Sequence, residues 1–262
     1  MLHRATAPGL VIAALSACNQ ADRVAAVWVP PAGPPTIERL RVRGTTMELE
    51  FVRLPGAADS GRDLFVARTE LTWDVAELLH RKSMTKERMA ELAMDGISRP
   101  TAPYGSPFHD DWGPRERRPA SHLSPRQALS CAKWLAAACG RSIRLPSESE
   151  WDRLCGAAKR EPIERFAWIA SNSGEVAHAV GVLEADGLGL FDLQGNAAEW
   201  VVVTGEECVL KGASYLDATA ALGCGWRVAE SPEMNDGDPQ IPKGIWWLVD
   251  APWAGMRLVF ED

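Results

Sequence analysis

Residues 187–200 read GLGLFDLQGNAAEW. Gly187, Gly189 and Gly195 punctuate the stretch, as expected of a backbone that turns repeatedly. It closes on Gly-Asn-x-x-Glu-Trp. That spacing sets the amide oxygen of Asn196 and the carboxylate of Glu199 one helical turn apart. With backbone carbonyls of the same loop, these are hard oxygen donors of the kind calcium takes, so Asn196 and Glu199 are a candidate calcium pair. The competing reading is a capped turn in which both side chains bond backbone amides. Glu199 stands directly before Trp200, as Glu150 stands before Trp151, so each acid lies at the edge of a large ring. A buried carboxylate needs an arginine or a metal. Arg144, whose planar fork suits bidentate bonds, together with Glu150 and Arg257 reads as a structural ion-pair network.

Upstream, residues 47–54 alternate apolar and polar, as a half-buried strand does, and Pro55-Gly56 ends them. Residues 64–67 form a second short strand. A helix opens at Thr72-Trp73 and runs to about His80. Residues 95–121, rich in Gly, Pro and Asp, read as loop. The clearest helix has Ser124 as its cap, Pro125 in its first turn and Gly140 as its stop. Ala128, Leu129, Ala132 and Leu135 make its apolar stripe. Ser147 and Glu150 form a capping-box pattern for another helix, ending near Ala158, with Trp151 and Leu154 turned inward. Beyond residue 160, short strands and turns dominate. Two clear helices followed by a loop-rich region with sparse strands indicate a single α+β domain over about 45–262.

The bulk composition fits. The chain has 262 residues, 46% hydrophobic and 24% charged, enough for one substantial core. Eleven Trp against two Tyr imply that large flat side chains pin the loops. A net charge of −7 and the lack of a basic stripe argue against a nucleic-acid partner. Arg115, Arg117 and Arg118 beside Glu116 read as a solvated loop.

Residues 1–18, MLHRATAPGLVIAALSAC, place one arginine before an apolar run too short to span a bilayer as a helix. The run ends Leu-Ser-Ala-Cys, resembling a bacterial lipoprotein signal with Cys18 as the lipidated residue. An ordinary secretory signal with a chance cysteine is the alternative. Acyl burial contributes about 0.8 kcal/mol per CH₂, so two or three chains make a durable anchor. A proline-rich stretch then supplies a tether, taken to span residues 19–44. These features imply a lipid-anchored protein of the bacterial envelope, with a membrane as partner. Five cysteines remain: Cys131, Cys139, Cys155, Cys208 and Cys224. Their pairing is not readable from sequence, although Cys208 and Cys224 flank a hairpin-like stretch compatible with a disulfide. The five histidines show no metal-ligand spacing.

Four segments, in order, resemble the formylglycine-generating enzyme (sulfatase-modifying factor) family. They are ARTELT (67–72); ALSCAKWL (128–135) with RLPSESEW (144–151); GLFDLQGNAAEW (189–200); and KGASY (211–215) with APWAGMRLV (251–259). The resemblance implies a compact, loop-heavy fold like that of C-type lectins. It also implies calcium at the Asn196/Glu199 loop, and a second calcium site that Asn172 would join, although the acidic loop that completes that site is missing here.

In that family, two cysteines hold copper(I) and oxidise a sulfatase cysteine to formylglycine. The resemblance puts those two positions at Asp217 and Leu222. Copper(I) requires soft thiolates; aspartate is a hard ligand and leucine is none, so copper is not expected. Cys224, displaced by two residues, is a weak substitute. The resulting expectation is a non-catalytic binding or structural module, with the 233–253 loop as a surface for a protein or small ligand. Trp246 and Trp247 lie in that loop. The alternative is an oxidoreductase that matures sulfatases or performs a related oxidation.

Overall fold

A computed structural model describes residues 28–82, 117–157, 161–218, 223–236, 241 and 250–262. Among these residues, two four-stranded sheets and three α-helices form the frame, an α+β arrangement rich in loops. In the first sheet the order is β1 (Thr36–Arg41), β2 (Glu48–Leu54), β3 (Leu64–Ala67) and β8 (Val259–Glu261), all antiparallel. The second has the order β6 (Arg227–Ala229), β5 (Glu207–Lys211), β4 (Ala198–Thr204) and β7 (Ala254–Gly255), with β4 and β7 parallel.

The folded part begins earlier than the expected tether boundary at residue 44. TIERLR pairs along its whole length with β2, from Thr36 opposite Arg53 to Arg41 opposite Glu48. Pro35, just before β1, also touches the domain. Pro35 lies so close to Gly189 that a Cβ there would sit 2.7 Å from its ring, and Gly189 has a φ of +85°. Trp28 donates its indole N–H to the Pro55 carbonyl at 2.8 Å.

Helix α1 (Trp73–Lys82) starts where the sequence signals placed it and runs slightly further. Helix α2 (Pro125–Cys139) has a reciprocal capping box between Ser124 and Gln127, and ends at Gly140 in the left-handed conformation. Helix α3 (Glu148–Ala157) follows the Ser147–Glu150 box: Glu150 N–H donates to Ser147 Oγ at 3.0 Å, and Ser147 N–H donates to Glu150 Oε2 at 2.9 Å.

The segment leading into α3 joins the sheets. Arg144 bridges Val259 of the first, and Ser147 bridges Val202 of the second. Trp151 and Trp200 are fully buried between these layers. Burial of such rings, at roughly 25 cal/mol per Å², is the main term holding short strands together. Among the described residues, no helix is long and apolar enough to cross a membrane. Residues 1–27, most of 95–121, Leu222, Trp246 and Trp247 lie outside the described set, so the signal, lipidation and surface-loop expectations on them stand as expectations.

Candidate functional site

The 187–200 segment is held by a buried charge network. Arg257 and Glu199 are both 0% exposed, with Nη2 and Oε1 2.7 Å apart. Arg257 Nε also donates to Glu199 Oε1 at 2.8 Å, Nη1 to the Ala67 carbonyl at 2.9 Å, and Nη2 to the Phe191 carbonyl at 2.7 Å. The other carboxylate oxygen of Glu199 accepts from Trp151 Nε1 at 3.0 Å. One arginine therefore ties β3, the 191 turn and β4 to the C-terminal segment. A second network lies at the start of α3: Arg144 grips Glu150 bidentately at 2.7 and 2.8 Å and reaches Glu261 at 2.6 Å.

Two further acids crowd the first network. Glu70 is 1% exposed, with Oε1 accepting from Ala197 N–H at 3.2 Å and Oε2 without a partner. Asp192 is equally buried; Oδ2 accepts from Gly181 N–H at 2.9 Å and Oδ1 has no partner. Burial, and then the charge of Asp192, push the Glu70 carboxyl well above its ordinary range. Burial likewise lifts Asp192 to about 6, with Glu199 adding to the rise while the Gly181 N–H and Arg257 oppose it. Sequence reasoning missed both acids. The only signal was their place in quoted motifs, ARTELT and GLFDLQGNAAEW.

These contacts bear on the calcium expectation. Both oxygens of Glu199 already accept from Arg257 and Trp151. Asn196 Oδ1 accepts from His178 N–H at 2.9 Å, and its amide N–H donates back to the His178 carbonyl at 3.2 Å. Each of these side-chain oxygens already accepts from a protein donor, and the cation facing Glu199 is a guanidinium. Asn172 is engaged similarly, Oδ1 capping Ile169 N–H and Nδ2 donating to the Glu164 and Ala167 carbonyls. This donor set does not fit a calcium ion, and Asn196 is the backbone clamp of the competing reading.

At the first family cysteine position, Asp217 caps its own turn. Oδ2 accepts from Ser214 N–H at 2.8 Å and Ser214 Oγ at 2.7 Å. Cys224 is bonded to Cys155, 69 residues away, and not to Cys208. Cys208 is a buried free thiol on β5. The expected Cys208–Cys224 pair is thus replaced by one that ties the last turn of α3 to the loop before β6. That disulfide leaves Cys224 no thiolate for copper.

Beside Tyr215 lies a mainly apolar cleft of about 230 Å³, walled by Trp73, Pro119, His122, Val176, Tyr215 and Pro252. Two of the arginines read as solvated are instead bonded to backbone carbonyls, and Arg118 lines this cleft. Arg118 Nη1 donates to the Ala177 carbonyl at 2.9 Å, and Arg117 Nη2 donates to the Val180 carbonyl at 3.1 Å. They fasten the 175–181 loop against the domain. Pro252 belongs to the end of the 233–253 loop, so that loop borders the cleft.

The frame and site define a loop-built α+β module whose buried charges hold the scaffold and whose expected copper position is a capped turn. The sulfatase-modifying factor enzyme 1-like domain matches residues 65–239, about two thirds of the chain. The chain belongs to this family. Among solved structures it resembles Treponema denticola variable protein 1, at 18% identity and TM-score 0.59, covering 87% of this chain and 100% of that one. It also resembles PvdO from Pseudomonas aeruginosa, at 18% identity and TM-score 0.51, covering 87% and 92%. At these identities the likeness establishes the shared fold. No curated protein matches the chain.

Proposed function

We propose that this protein is an envelope-anchored, non-catalytic binding module built on the formylglycine-generating-enzyme scaffold. The observation that carries this reading is the use of Asp217 and Cys224. The first is the cap of the Ser214 turn, and the second is locked in a disulfide with Cys155. A hard carboxylate and an oxidised sulfur do not supply the linear pair of thiolates that copper(I) requires. A fold does not carry its reaction with it; the reaction resides in the site.

The cleft beside Tyr215 is the ligand surface in this reading. Its lining combines Trp73, Tyr215, Pro119, Val176 and Pro252 with the polar residues Arg118, Ser121, His122 and Glu175. It is small, and therefore suits one side chain or ring rather than a whole metabolite. Leu216, next in the chain to Tyr215, is an exposed apolar residue at 45%. A protein partner inserting one apolar side chain fits these dimensions, and the 233–253 loop would extend the contact.

The test of function is oxidation of a peptide carrying a sulfatase cysteine motif by the copper-loaded protein in air. No formylglycine product is expected; sustained turnover contradicts the proposal. Anchoring is tested separately by detergent-phase partitioning. The wild type enters the detergent phase and Cys18→Ser stays in the aqueous phase, whereas equal partitioning contradicts the lipid anchor.

A further inference from the structure

The chain is fastened to the domain from Trp28 onward. Trp28 packs against the buried cluster that includes Val52, Leu54 and Leu190, and its indole N–H bonds the Pro55 carbonyl at 2.8 Å. Pro35 lies against Gly189, and β1 pairs with β2 from Thr36 on. Only residues 19–27 therefore separate Cys18 from the first docked side chain. The ten residue steps from Cys18 to Trp28 span at most about 35 Å, even fully extended.

The Tyr215 cleft lies at the other end of the ladder that starts beside Pro55. Strand β2 ends at Leu54, opposite Leu64 of β3, and Leu64 in turn lies opposite Glu261 of β8. From there β3 runs away along β8, and the pairing continues beyond both strands. Ala67 N–H donates to the Leu258 carbonyl at 2.8 Å, and Leu71 N–H to the Met256 carbonyl at 2.9 Å. Thr72 then bridges Pro119, and Trp73 and Pro119 line the cleft. The path from Glu261 to Met256 alone covers on the order of 15 Å, at about 3.3 Å per residue. The point where the N-terminal segment joins the domain and the cleft are thus set at opposite ends of one ladder.

We propose that the domain stands on the bilayer by its Pro55 end and presents the Tyr215 cleft away from it, to a water-soluble protein partner rather than to a membrane-embedded segment. This inference rests on the lipid anchor at Cys18 and on the cleft as the ligand surface. The lengths decide the orientation. A domain of this size is roughly 45 Å across. Rolling the cleft down onto the bilayer carries the Trp28 end toward the far side of the domain, and a link of at most about 35 Å does not reach that far. Had the whole of residues 19–44 been a free tether, its reach of about 85 Å or more would have left every face of the domain equally available to the membrane. The docking of Trp28, Pro35 and β1 removes that freedom.

The test is short-range energy transfer from a fluorophore on the lipidated full chain to an acceptor-labelled lipid in phosphatidylcholine vesicles. The labels sit on single introduced cysteines, in a Cys139→Ser background because Cys139 is the partly exposed free thiol. Val29→Cys and Arg62→Cys report the Pro55 end, at residues 76% exposed and with a 61% exposed side chain, and Leu216→Cys reports the cleft end. Transfer from positions 29 and 62 is expected to exceed that from position 216 at least twofold. Inserting about thirty Gly/Ser residues between residues 27 and 28 should abolish the difference, because a flexible linker of that length lets the domain turn over. Equal transfer from the two ends, or stronger transfer from position 216, overturns the orientation. Detergent partitioning of the same preparations separates the two readings. A wild type that stays in the aqueous phase overturns the anchor and this inference with it, whereas one that partitions and shows equal transfer overturns the orientation alone.

Discussion

Arg257 and Glu199 meet at 2.7 Å with no solvent exposure on either side chain, and the second oxygen of Glu199 is held by Trp151 from α3. Through the Ala67 carbonyl of β3 and Glu199 of β4, this contact joins the two sheets to α3. Breaking a buried pair by removing one partner costs about 3–5 kcal/mol, because the other charge stays behind unpaired. Arg257→Met should therefore consume much of the stability of an ordinary domain, about 5–15 kcal/mol. It leaves Glu70, Asp192 and Glu199 without their guanidinium. Urea denaturation monitored by tryptophan fluorescence would read the loss. A change below 1 kcal/mol would contradict the role given to Arg257.

Asp192 sets a pH dependence of unusual sign for a carboxylate. Its folded value is raised from 3.8 to about 6, so between those values the folded state holds more proton than the unfolded one. Stability from this group is present below pH 4 and lost as pH rises through 6, by roughly 3 kcal/mol in all. Glu70 acts in the same direction. Asp63 and Glu261 act oppositely: hydrogen bonds from Arg53 and from Ser60 respectively hold them below their usual range, and their contribution is lost in acid. Asp192→Asn should thus gain on the wild type between pH 4 and pH 7. Parallel denaturation curves at both pH values check it, and a difference independent of pH would refute it.

The Cys155–Cys224 bond closes a loop with a sequence separation of 69. Chain-entropy arguments assign such a loop about 4 kcal/mol. Cys155→Ser should lower the thermal midpoint as much as reductant lowers that of the wild type. Non-reducing peptide mapping should recover a 155–224 cross-link. A 208–224 cross-link would overturn the pairing.

Gly195 is held by packing rather than by φ. A Cβ there would collide with the Trp168 carbonyl and the Ala167 side chain. Asn196 N–H also donates to that carbonyl, at 2.7 Å. Gly195→Ala should cost about 1–3 kcal/mol through forced backbone movement. Unchanged stability by denaturation would show that the turn relaxes freely.

Local signals in the sequence carried much of the frame. Ser124-Pro125 with Gly140 and the Ser147–Glu150 box are short-range devices, and each sits where its residues imply. Strand β1 was not legible as a strand, because TIERLR follows a proline run and its partner β2 is supplied by a later segment. The acid cluster was equally hidden. Glu70 and Asp192 are 122 positions apart, and only the fold brings them to one guanidinium. Glu199 illustrates the same limit. From sequence, an arginine and a metal were both open as its counter-ion, and the choice depended on where Arg257 arrives from the far end of the chain. The disulfide followed the same rule, since Cys155 reaches Cys224 through the docking of α3 and not through any spacing.

A non-catalytic module requires that no oxidase chemistry occur at the turn of Ser214 and Asp217. The most direct measurement is mass spectrometry of a sulfatase-motif peptide after incubation with the purified, disulfide-intact protein, copper(I) and oxygen. The cysteine peptide is expected to remain unchanged at many equivalents of peptide per protein and over long incubation. Accumulation of the formylglycine peptide beyond one equivalent per protein, above a copper-only control, would contradict it.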